Sequence, residues 1–81
     1  MTQEPVYVRR KGDYFLISYP SVRFPQAHPG LGDAVIALKF YRGKLPKAPR
    51  PEIESGLDEK ESCILERSLN GLGKLYEFRK G

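Results

Sequence analysis

The chain has 81 residues, 40% of them hydrophobic and 30% charged, with a formal net charge of +4. That length holds one domain, residues 1–81, with a thin core, and the composition is that of a folding chain and not of a disordered one. A single cysteine, Cys63, excludes an internal disulfide framework and cannot by itself make a zinc site.

Val6–Lys11 and Tyr14–Tyr19 are two β-rich runs separated by Gly12-Asp13. A two-residue loop with glycine first suits a type II′ turn, whose backbone twist matches that of a hairpin. The resulting register pairs Lys11 with Tyr14, Arg9 with Leu16 and Tyr7 with Ser18 on one face. Arg10 with Phe15, Val8 with Ile17 and Val6 with Tyr19 fall on the other. The second set is more apolar and is assigned to the core, because a strand presents alternate side chains to opposite faces.

Pro20–Asp33 reads as a loop, punctuated by Pro20, Pro25, Pro29, Gly30 and Gly32. Its Val22 and Phe24 are expected to tack it onto the core, and its His28 to lie on the surface. Ala34–Arg42 carries two signals. Asp33 is placed to cap a helix and Gly43 to end one, but such a helix would be apolar nearly all round. Ile36, Leu38 and Phe40 alternate with Ala37, Lys39 and Tyr41, so a strand is the expectation.

Residues 43–51 form a basic connector with three prolines in six residues (Pro46, Pro49, Pro51), which excludes a helix or a central strand. Leu57–Leu69 is predicted as a helix. Ser55 or Asp58 caps its start, and Asn70-Gly71 ends it in the left-handed fashion. Leu57, Ile64, Leu65, Ser68, Leu69 and Leu72 share one side, and Cys63 falls opposite with an exposed thiol. Lys74–Arg79 supplies a last strand with Tyr76 and Phe78, or Leu75, turned inward. The expected fold is α+β: a small antiparallel β-meander sheet, ordered β-β-β-α-β, with one helix packed on one face. A helical third element would make it β-β-α-α-β.

The charge is unevenly placed. Residues 1–51 carry nine Lys/Arg against three Asp/Glu, and residues 52–81 carry five against seven. On the wet face of the expected sheet Tyr7, Arg9, Lys11 and Tyr14 stand together, joined by Lys39 and Tyr41 from the third strand. Rings that stack on bases beside cations that neutralise phosphates make a surface suited to single-stranded nucleic acid. Lys44, Lys47 and Arg50 of the connector extend it. The same residue types also stabilise any solvated sheet face through cross-strand pairs, and the spacings of an RNP motif or zinc knuckle are absent.

No catalytic constellation is visible. His28 is the only histidine, and Asn70-Gly71-Leu72-Gly73-Lys74 ends a helix where a phosphate loop would open one. The expectation is therefore a binding module and not an enzyme, with no cofactor and no metal; a small nuclease is the catalytic alternative. Its partner is a nucleic acid or an acidic protein surface. The second functional reading is a small accessory or inhibitor protein that docks on a larger protein or self-associates as a homo-oligomer. No run approaches the ~20 apolar residues of a membrane span. Met1–Pro5 shows no basic region leading into an apolar one, so a cytoplasmic location without a membrane partner is expected.

Overall fold

The computed structural model describes residues 5–20, 22–44, 50–71 and 73–79. The elements in chain order are β1 (Val6–Lys11), β2 (Tyr14–Ser18), β3 (Gln26–His28), α1 (Leu31–Lys44), β4 (Glu52–Ser55), α2 (Glu59–Asn70) and β5 (Glu77–Arg79). The radius of gyration, 11.7 Å, is what a compact fold of this length has.

The hairpin forms in the register that its turn dictates, with Lys11 opposite Tyr14, Val8 opposite Ile17 and Tyr7 opposite Ser18. Gly12 has φ +61°, and among the described residues no other residue type has a positive φ. Only the first of the two turn residues is therefore left-handed, as a type II′ turn requires. Val6, Val8, Phe15, Ile17 and Tyr19 are buried, so the core face is the apolar one.

The sheet is mixed and not an antiparallel meander. Its order is β3-β2-β1-β4-β5, with β2 antiparallel to both β1 and β3, β4 parallel to β1, and β5 parallel to β4. The expected topology fails at Ala34–Arg42, which lies within helix α1 and not in a strand. A helix carries the chain back to the end of the sheet at which β3 began. The next strand therefore starts in the same direction as β3, and so as β1. Both crossovers, β3-α1-β4 and β4-α2-β5, travel the same way across the sheet. A common handedness then places both helices on one face. The core lies there, where Ala34, Val35, Leu38, Leu65 and Leu69 meet Val6, Val8, Phe15, Ile17 and Ile53.

The stretch expected to be a loop, Pro20–Asp33, contains β3 and the first turn of α1. Gln26-Ala27-His28 has little strand propensity of its own; it pairs because the free edge of β2 offers unsatisfied backbone groups. Val22 and Phe24 do not tack the segment down, being 40% and 71% exposed. The Arg23 guanidinium instead lies 5.8 Å from the Phe24 ring centroid. His28 is half-buried, and its Nε2 is enclosed without a hydrogen-bond partner among the described residues.

Asp58 caps α2, its Oδ1 accepting the Glu61 N–H at 2.7 Å. Ser55 takes another role, accepting the Leu57 N–H and meeting the Ser62 hydroxyl at 2.6 Å. The helix does not end in a left-handed glycine, since Gly71 is right-handed with φ −65°. The Asn70 side chain does the terminating work by hydrogen-bonding to the backbone of Leu75 and Tyr76. The apolar side of α2 is narrower than its periodicity implies, because Ile64 and Ser68 are exposed; Leu72 lies outside the described residues. Cys63 is exposed, as its position opposite Leu65 and Leu69 requires. Of the last predicted strand only Glu77–Arg79 pairs with the sheet, while Tyr76 is buried and Phe78 half-buried.

Candidate functional site

The structure divides the residues singled out from sequence between two surfaces. Tyr7, Arg9, Lys11 and Tyr14 stand on the sheet face away from the helices, all exposed. Tyr7 lies close over Gly56: a Cβ added there would sit 2.7 Å from the Tyr7 hydroxyl oxygen. Neither Arg9 nor Lys11 makes an ion pair among the described residues. The same face continues across β4 and β5 with a different charge. Glu54 is opposite Tyr7 and Glu52 opposite Glu77, on the strand positions that alternate with core residues Ile53 and Phe78. Arg50, expected as a contact residue, is held at 3.1 Å by Glu77, and Arg79 lies 4.0 Å from Glu52.

Lys39 and Tyr41 do not join this face. Both are on α1, in the layer on the other side of the sheet. Tyr41 is half-buried, its ring centroid 4.4 Å from that of Tyr19. Beside them Tyr76 donates a hydrogen bond of 2.6 Å to the Leu38 carbonyl. Burial pushes the Tyr76 hydroxyl well above the ordinary tyrosine range, and burial followed by the neighbouring Tyr41 raises Tyr19. These three rings bind α1 to the sheet and to the chain entering β5, which is a packing role. Lys44 ends α1 and is exposed; Lys47 lies outside the described residues.

The surface that sequence reading missed is the outward side of α1. Ile36 and Phe40 are 55% and 69% exposed, one helical turn apart. With Lys39, Gly43 and Lys44 they line an open depression of about 490 Å³. These five positions follow i, i+3, i+4, i+7, i+8, a single stripe along the helix. The core-facing residues Leu31, Ala34, Val35, Leu38 and Tyr41 make a second stripe, roughly opposite at ~100° per residue. The signal was present in the sequence as the all-round apolar character of a helical Ala34–Arg42. That pattern normally belongs to a helix buried on every side. Here one of the two apolar stripes faces outward.

Among the described residues no three His, Cys, Asp or Glu side chains are grouped to hold a metal ion, and no helix is long and apolar enough to cross a membrane. Comparison with protein-family models, with curated proteins and with solved structures finds no match for the chain. Fold and surface together define a two-layer α+β domain with a mixed five-stranded sheet, two helices on one face, and an apolar, basic-flanked stripe on the outward side of α1.

Proposed function

We propose that this chain is a non-catalytic binding module that docks on a larger protein through the outward stripe of α1. The observation that carries this reading is the exposure of Ile36 and Phe40 side by side between Lys39 and Lys44. Single exposed apolar residues are ordinary, whereas an apolar cluster with a charged border is the usual build of a contact surface. The test is quantitative capture from an extract of the source cells, comparing immobilised wild type with Ile36→Asp/Phe40→Asp and with Arg9→Ala/Lys11→Ala. The α1 variant is expected to lose a protein that the sheet-face variant retains. A captured set indifferent to the α1 change defeats the reading.

A second reading rests on the sheet face, where Tyr7, Arg9, Lys11 and Tyr14 present rings and cations that, among the described residues, have no ion-pair partner and no helix over them. It is a single-stranded nucleic-acid surface. Glu52, Glu54 and Glu77 on the same face oppose it, since each repels phosphate. An anisotropy titration with a labelled single-stranded oligonucleotide at low and at physiological salt separates the readings. Binding that survives physiological salt and falls with Tyr14→Ala supports the nucleic-acid surface; binding lost on adding salt reflects only the basic net charge.

A further inference from the structure

We infer that the partner of α1 presents an amphipathic helix flanked by carboxylates, seated along the Ile36–Phe40–Gly43 stripe with its acids on Lys39 and Lys44. This deepens the docking reading and rests on it. The first reason concerns backbone hydrogen bonds. α1 has no free edge to offer, so whatever covers it must satisfy its own backbone groups while losing water, and a helix does that unaided. The second is shape. The stripe repeats every three to four residues, the spacing into which the ridges of a second helix fit. Among the described residues, nothing beyond Gly43's own stretch of helix lies within 4 Å of where its Cβ would stand, which leaves a notch for a partner side chain beside Phe40. The third is charge. The outward stripe holds Lys39 and Lys44 and no acid, and the only acid of α1 is Asp33 in its first turn. Two copies joined stripe to stripe would bring these lysines together. The exposed side of α2 mixes Glu59 and Glu66 with Lys60 and Arg67, so it supplies no acidic seat either. Of the other acids of a second copy, Glu52, Glu54 and Glu77 lie on a sheet face where Arg79 and Arg50 already engage Glu52 and Glu77, so they present no acid-flanked helix. A partner helix with acidic flanks fits where helix-to-helix pairing of two copies does not.

The probes are three synthetic amphipathic helical peptides sharing one leucine seam and flanked by Glu, by Gln or by Lys. Each is titrated into the isotope-labelled full chain and followed by amide chemical shifts. The Glu-flanked peptide is expected to shift residues 36–44, to bind about fivefold or more tighter than the Gln form, and to weaken with salt. A carbodiimide, which joins only amines and carboxylates already in contact, then couples it to Lys39 or Lys44. Gly43→Leu fills the notch and weakens the Glu-flanked peptide about tenfold, with the chain still folded by its amide spectrum. Equal binding of the Glu and Gln peptides, shifts centred on Arg9 and Lys11, or concentration-dependent shifts at 36–44 without peptide each overturn the inference. If the extract capture is lost in Ile36→Asp/Phe40→Asp while no peptide binds, docking through α1 stands and the acidic helix does not.

Discussion

Tyr76 concentrates much of what holds the two layers together. Its ring is buried, its hydroxyl serves the Leu38 carbonyl of α1, and its backbone N–H and C=O are engaged by the Asn70 side chain. Tyr76→Phe removes only the hydroxyl and is expected to cost about 1–2 kcal/mol, because a buried carbonyl loses one donor. Thermal unfolding reads this as a fall of about 4–8 °C per kcal/mol in a domain of this size. The raised pKa values of Tyr76 and Tyr19 carry a pH consequence. The folded state keeps these protons after the unfolded chain has begun to lose them, near pH 10. Their contribution is therefore fully present below about pH 10 and is lost as pH rises beyond it. Urea denaturation across pH 8–11 should show stability falling only at the alkaline end, and less steeply in Tyr76→Phe. Gly12 is a second single-residue control point. At φ +61° an alanine is strained by roughly 1–2 kcal/mol, so Gly12→Ala should lower the unfolding midpoint although its Cβ meets nothing within 4 Å.

Helix α1 carries two stripes that pull stability and function apart. The inner one, with Ala34, Val35 and Leu38 buried, fixes the helix to the sheet; the outer one is spent in contact with solvent. Ile36→Asp/Phe40→Asp should leave the unfolding free energy within about 1 kcal/mol of wild type, about 0.5 for each surface substitution, and Leu38→Ala should cost about 2–5 kcal/mol. A urea series on both variants checks the contrast, and a large loss from the outer pair would mean that its residues are packed after all. Gly43→Ala should stabilise the free chain by about 0.5–1 kcal/mol, since the glycine is helical and its Cβ position is open. Helix α2 is held differently. Asp58 caps its start, and Arg10 reaches Glu61 at 3.5 Å from the sheet. That pair is exposed on the arginine side, so Arg10→Ala is expected to change stability by no more than about 1 kcal/mol.

Across the whole domain, charge follows the layers only in part. The basic first part of the chain and the acidic second part meet in Arg10–Glu61 and Arg50–Glu77, which accounts for some of the asymmetry by attraction within the chain. The sheet face is basic over β1, where Arg9 and Lys11 stand, uncharged over β2, and acidic over β4 and β5, instead of offering one continuous positive track. Of the nine residues singled out from sequence, Tyr7, Arg9, Lys11 and Tyr14 share one exposed sheet face, because a two-residue turn and strict alternation fix their placement locally. Lys39 and Tyr41 were assigned to that face through a strand that does not exist. The alternation of Ile36, Leu38 and Phe40 satisfies a strand, but the same residues satisfy a helix whose apolar side chains are divided between two sides.

By itself the sequence determined the hairpin and its faces, the presence of the second helix with its cap narrowed to Ser55 or Asp58, and the exposure of Cys63. Each depends on contacts between residues a few positions apart, which turn geometry, capping and periodicity report directly. Tertiary structure alone decided the pairing of Gln26–His28, the parallel direction of β4, and which stripe of α1 is left open to solvent. Those outcomes depend on edges and faces supplied by distant parts of the chain, and a pattern that is apolar on both sides of a helix holds no information about which side the sheet will take.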